Sequence, residues 1–158
     1  MALEWVHKHA AAFGANPHNI TVSGLSAGSQ STHAQLLYEY SRSQQDPSYV
    51  PLIRRVLLRS GTALLPSKTF SDTRSQLDEL CIKLNIPERE EAQQLQALRA
   101  VSEAALVEAI EQMEMHTFRS VDDGGPAAGG FVSPSWRHDL RSGDVSRWCK
   151  KHNITWIM

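Results

Sequence analysis

An α/β fold, a short parallel sheet with helices packed against it, is the architecture this sequence predicts, and three observations carry that prediction. A short β-like run, Ile20-Thr21-Val22-Ser23, is followed at once by Gly24-Leu25-Ser26-Ala27-Gly28 and then by a helix-compatible segment. A second run, Arg55-Val56-Leu57-Leu58, is short and largely apolar, as parallel strands covered on both faces tend to be. Leu77, Leu80, Cys81 and Leu84 then recur at i, i+3, i+4 and i+7, and Leu106, Val107, Ile110 and Met113 form a second apolar stripe, the period of helices that pack a core.

Each element has its own local justification. Ala2 to Phe13 is helical in composition and stops at Gly14, with Asn16-Pro17 turning the chain into the strand at 20 to 23. The helix after Ser26 is expected to run to about Tyr40, and the polar stretch Ser41 to Ser48 reads as a loop. Asn85 and Pro87 are stop signals for the helix carrying Leu84. Gly124-Gly125-Pro126-Ala127-Ala128-Gly129-Gly130 reads as a plain loop, because it lacks the Lys-Ser/Thr ending and helix start of a phosphate-binding loop. Trp136 and Trp148 flank the return to a last strand at Ile154-Thr155-Trp156-Ile157.

Composition narrows the class. At 158 residues and 41% hydrophobic content the chain suits one globular domain, burying roughly 68 to 70% of its unfolded surface. Sixteen basic and 17 acidic residues give a net charge of -1 with no like-charge block, so neither nucleic acid nor an anionic membrane surface is expected as a partner. No apolar run reaches the roughly 18 residues of a membrane span. Met1 opens onto a helical pattern and not a basic and apolar leader, which leans weakly to an intracellular location. The two cysteines, Cys81 and Cys149, fit no metal spacing and read as buried thiols; no metal or cofactor is expected. Asn19-Ile20-Thr21 and Asn153-Ile154-Thr155 match the glycosylation pattern but abut predicted strands, so chance accounts for them better.

The pentapeptide carries the chemistry. A serine displayed on a sharp strand-to-helix turn sits in a strained backbone, and residues without side-chain bulk at Gly24 and Gly28 let strand and helix pack closely. The turn lifts the Ser26 hydroxyl out of the sheet, while the Ala27 amide at the helix start can donate to a developing oxyanion. Ser26 therefore reads as a serine hydrolase nucleophile.

Seven histidines are available as its base. His33 lies seven residues along the following helix, a rise of about 10 Å that exceeds hydrogen-bond reach. His18 and His152 precede strands, at the wrong end for chemistry in an open α/β sheet. His7 and His9 read as partly exposed helical residues, leaving His116 and His138. Ser26, then Asp122 or Asp123, then His138 does follow the order nucleophile, acid, base, whereas the Asp-Asp-Gly-Gly-Pro run reads as turn chemistry.

Blocks along nearly the whole chain resemble one family. Ala2-Leu3-Glu4-Trp5-Val6, Phe13-Gly14-Ala15-Asn16-Pro17 and Ile20-Thr21-Val22 resemble the segment preceding the nucleophile in type B carboxylesterases, which include the cholinesterases and fungal esterase/lipases. Leu52 to Thr62 resembles the next strand and its S-G-[ST] turn, Leu98-Arg99-Ala100-Val101 a later peripheral stretch, and Phe118 to Gly124 a looser V-D-G segment. The resemblance implies a partial α/β-hydrolase fold, with residues 1–158 the central portion of a single such domain, truncated at both ends. It places the glycine-rich oxyanion loop upstream of Met1, the acid shortly after the strand at Ile154, and the histidine further on. The implied activity is carboxylic ester hydrolysis through Ser26, with the chain alone expected to be inactive. The alternatives are a non-catalytic cholinesterase-like interaction protein or a degraded gene copy.

Two departures from the family matter. Many members have Glu before the serine; here Leu25 stands there, which implies a pocket favouring neutral, apolar esters over choline-like ones. Ile86 and Ala97 stand where secreted animal relatives often carry bridging cysteines, which implies a version that does without the bridge.

Overall fold

The computed structural model describes residues 2–62, 68–87, 90–114, 117–121, 123–131 and 133–158, which divide into two compact units, Met1–Ser67 with Asp122–Met158, and Lys68–Val121.

The larger unit holds a three-stranded parallel sheet in the order β1-β2-β3, with β1 at Ile20–Leu25, β2 at Ile53–Arg59 and β3 at Thr155–Ile157. Helix α1, Ala2–His9, passes through a 3₁₀ turn at Ala10–Phe13 and ends on Gly14, whose left-handed backbone (φ 75°) returns its amide to the carbonyls of Ala10 and Ala11. Helix α2, Ala27–Gln45, connects β1 to β2 and packs on both strands. Its buried face contributes Leu36, Leu37 and Tyr40 to a core completed by Ile53, Val56 and Leu58 of β2 and by Ile154. Trp136 opens α6 (Trp136–Arg141), and Val145, Trp148 and Cys149 line one side of α7 (Asp144–Lys151); all four are buried in the same core. The Tyr40 and Trp148 rings meet edge to face at 5.6 Å, a favoured aromatic geometry. Between Ile20/Ile53 and Thr21/Arg55 the register of β1 on β2 slips by one residue. That bulge explains why the buried positions of β2 run 53, 56, 58 instead of alternating strictly.

Helix α2 outlasts the expected stop at Tyr40. Ser41 is buried, and Ser43 satisfies its hydroxyl on the carbonyl of Tyr40 at 2.7 Å, so the polar letters of this stretch serve the helix. The stop comes at Asp46, where Pro47 forces the preceding residue out of helical backbone and the Asp46 carboxylate accepts from the Ser48 amide and hydroxyl. Glu39, 2% exposed, closes the return into β2: one carboxylate oxygen accepts from the amides of Leu52 (2.7 Å) and Ile53 (3.1 Å), the other from the Tyr49 hydroxyl (3.2 Å). Burial raises its pKa despite those bonds.

In the smaller unit α3 (Phe70–Lys83) begins at a reciprocal capping box between Thr69 and Asp72, and α5 (Glu103–Glu111) at a Ser102 cap on the Ala105 amide. Between them lies α4, Glu91–Arg99. Asn85, in left-handed backbone (φ 53°), ends α3 where the stop was expected. Cys81, Ala109 and Met113 are buried here, whereas Val107 of the expected apolar stripe is 50% exposed. Lys68 is also buried, its ammonium donating to Gln76 Oε1 and the Thr117 carbonyl.

Candidate functional site

Ser26 sits alone between the last residue of β1 and the first residue of α2, at the carboxyl edge of the parallel sheet. Its backbone is at φ 53°, ψ -118°, a region that L-residues seldom occupy. Such a conformation persists only when the surroundings over-determine it, and here three hydrogen bonds do so. The Ser26 amide donates to the Arg59 carbonyl at the end of β2 at 2.9 Å, and the Ser26 carbonyl accepts from the amides of Ser29 (2.9 Å) and Gln30 (3.1 Å).

The consequence for the side chain is specific. Serine before a helix normally folds its hydroxyl onto the first-turn amides as a cap. Ser26 holds the N-cap position of α2 yet makes no side-chain cap, and the residue is exposed. The hydroxyl is thus not tied to the first-turn amides of the helix. Ala27 follows as the first helical residue, and its amide is among those a helix start leaves without an intrahelical acceptor. Leu25 is 63% exposed beside them.

The flanking glycines are not equivalent. A Cβ built on Gly24 would lie 2.1 Å from the Gly28 carbonyl oxygen and 2.6 Å from the Ser29 nitrogen, so only glycine lets β1 approach the first turn of α2. A Cβ on Gly28 meets no described atom within 4 Å. A third glycine, that of the S-G-T turn, is close as well: a Cβ on Gly61 would stand 3.0 Å from the Ser26 carbonyl oxygen. Ser29, fully buried in the first turn of α2, donates its hydroxyl to the Gly61 carbonyl. Ser60, just before, has φ 54°, so adjacent strands β1 and β2 are each followed at once by a serine of positive φ. The S-G-T turn after β2 was legible as a family block, but its contact with Ser26 depends on strand register, which no local pattern reveals.

Among the histidines, His33 is 1% exposed on α2 with its ring centroid 5.6 Å from that of Trp156, and burial lowers its pKa to about 4. His7 and His18 stack edge to face at 5.5 Å, and His9 lies against Trp5 at 4.8 Å. His152 caps the end of α7 before β3, and its carbonyl accepts from Arg54. His138 is exposed on α6. The Asp123 carboxylate accepts from the amides of Gly125 (3.2 Å) and Phe131 (2.7 Å), closing its own glycine-rich loop around the 3₁₀ turn Pro126–Ala128. His116 and Asp122 lie outside the described residues. Among the described residues no cluster of His, Cys, Asp or Glu could hold a metal ion. No helix of the described residues is long and apolar enough to cross a membrane. Cys81 and Cys149 are free and buried, and burial raises both thiol pKa values, Cys149 to about 11.

Comparison with known proteins adds a second line of observation. Residues 1–142 match the model of the carboxylesterase family. An uncharacterized esterase/lipase of Schizosaccharomyces pombe is 38% identical over 148 residues, covering 93% of this chain and 26% of that protein. A carboxylic ester hydrolase of Gibberella moniliformis is 37% identical over 124 residues, 78% of this chain and 22% of the relative. Human bile salt-activated lipase is 34% identical over 106 residues, 67% of this chain and 13% of the lipase. The chain thus spans about a quarter or less of the length of these relatives.

Proposed function

This chain belongs to the carboxylesterase family, and from that premise we propose that it serves carboxylic ester hydrolysis by acyl transfer through Ser26. The observation that carries the reading is the N-cap serine that does not cap: an exposed residue at φ 53° and ψ -118°, at the carboxyl edge of the sheet, makes no side-chain bond to the helix it opens.

In the proposed reaction Ser26 Oγ attacks the ester carbonyl carbon as its proton passes to a histidine base. The carbonyl oxygen takes the electron pair, and the Ala27 amide donates to it; one such donor is worth about 2.7 to 4 kcal/mol of barrier. Collapse expels the alcohol with the proton, and water then attacks the acyl-enzyme by the same route, releasing the acid and restoring the hydroxyl. Gly24 holds the turn close, and Leu25 gives the approach an apolar, uncharged wall suited to neutral esters.

We assign the base and its acid partner to residues outside this chain and read residues 1–158 as the central portion of a larger domain. The quarter-length match to relatives supports this, as do the buried His33 and the Asp123 carboxylate committed to its own loop. The test is hydrolysis of p-nitrophenyl butyrate by the full-length protein carrying this chain, together with labelling by an alkyl fluorophosphonate. Ser26→Ala is expected to abolish labelling and to cost about 10⁶-fold in kcat. Label on another residue, or turnover surviving in the variant, overturns the assignment.

A further inference from the structure

We infer that Ser29 is a positioning residue for Ser26, acting through the Gly61 turn that follows β2. The inference rests on the reading of Ser26 as nucleophile and adds to it a device that sets where the nucleophile stands.

The geometry is a closed loop of contacts. Ser26 is anchored to β2 by its own amide on the Arg59 carbonyl at 2.9 Å. Two residues past that carbonyl, Gly61 lies close beside Ser26, where a methyl group would be a tight fit: a Cβ there would stand 3.0 Å from the Ser26 oxygen and 3.7 Å from its Cα. The turn bearing Gly61 is held in turn by the Ser29 hydroxyl, which donates to the Gly61 carbonyl from the first turn of α2. Ser29 also donates its amide to the Ser26 carbonyl at 2.9 Å. One residue therefore grips both sides of the contact, Ser26 through its amide and Gly61 through its side chain.

Ser29 is 0% exposed, so its hydroxyl has no solvent alternative, and removing it takes the Ser29 donor from the carbonyl of half-buried Gly61. The Gly61 turn is then free to drift, and the strained backbone at Ser26 loses the neighbour that confines it. Ser29 touches no reacting atom. Its loss is expected to displace the Ser26 hydroxyl by a fraction of an ångström, which lowers the rate of attack while leaving the substrate contacts intact.

The experiment uses the full-length protein with Ser29→Ala, Ser29→Cys and Ser26→Ala in parallel, measuring kcat and KM for p-nitrophenyl butyrate and the phosphonylation rate with an alkyl fluorophosphonate. Ser29→Ala is expected to lower kcat and the phosphonylation rate about tenfold, with KM within about twofold. Ser29→Cys, of similar shape but a weak donor, is expected to fall between Ala and wild type. If Ser29→Ala does not fold, Ser29→Cys decides alone: a kcat equal to wild type overturns the inference. So does a change confined to KM, or Ala and Cys variants that lose thermal stability with unchanged kcat. Activity surviving in Ser26→Ala would instead sink the nucleophile reading, whereas a dead Ser26→Ala beside fully active Ser29 variants sinks only the role given to Ser29.

Discussion

The Cβ that an alanine would place at Gly24 falls 2.1 Å from the carbonyl oxygen of Gly28. No rotamer relieves that overlap, because both partners are backbone, so Gly24→Ala must separate the end of β1 from the first turn of α2. Destabilisation by about 3 kcal/mol or more is expected from such overpacking. Gly28→Ala meets open space among the described residues and replaces a helical glycine, so it is expected to be neutral or to stabilise by up to about 1 kcal/mol. Urea unfolding of the two variants checks the asymmetry; equal losses would contradict it.

Glu39 joins α2 to the entry of β2 through two backbone amides and the Tyr49 hydroxyl. Glu39→Ala strands the buried amide of Ile53 and takes the acceptor from that of half-buried Leu52, and a loss of about 2 to 4 kcal/mol is expected in chemical denaturation. Glu39→Gln retains an acceptor for the two amides and is expected to lose less than half as much.

His33 makes stability depend on pH. Its pKa is lowered by burial from 6.5 to about 4, so between these values the unfolded chain binds a proton that the folded chain refuses. Folding stability is therefore full above about pH 6.5 and lost progressively as pH falls toward 4, by roughly 3 kcal/mol from this residue. Glu39 acts in the opposite sense, since its raised pKa makes the folded state take up a proton first as pH falls. Comparing wild type with His33→Leu cancels that contribution: the variant is expected to show a shallower decline between pH 6.5 and 4, and an unchanged slope would rule out His33 as its source.

Leu25, 63% exposed beside Ser26, bears on substrate charge. In the full-length protein, neutral butyrate esters are expected to be hydrolysed faster than the isosteric choline ester. Leu25→Glu should shift the ratio of kcat/KM values toward the cation by up to about fivefold, the worth of an exposed charge pair. A wild-type preference for the choline ester would contradict the reading.

How much of this was legible in the sequence follows from the range of the interactions. β1, the serine turn and the start of α2 announce themselves locally, through an apolar run abutting small residues, and the structure extends β1 only from Ser23 to Leu25. The length of α2 was underestimated because Ser41 and Ser43 look like loop residues, whereas burial and a back-bond to Tyr40 make them helical. Val107 was placed in an apolar stripe by spacing alone, and the helix turns it outward. Gly61 is legible only as part of the S-G-T block, and Ser29 carries no signal of its own in the sequence. Their contact joins residues brought together by the pairing of Leu25 with Arg59, and pairing register is a property of the sheet and not of either segment.

That pairing also governs which changes in chain length this region can absorb. Extra residues inserted between Asp46 and Val50 would lengthen an exposed connection at modest entropic cost. Deleting one residue within Ile53–Arg59 would slide the strand past its neighbour, invert the side chains beyond the lesion and withdraw the Arg59 carbonyl from Ser26. Insertions and deletions compatible with a working serine should accordingly accumulate before β2 and be absent from it.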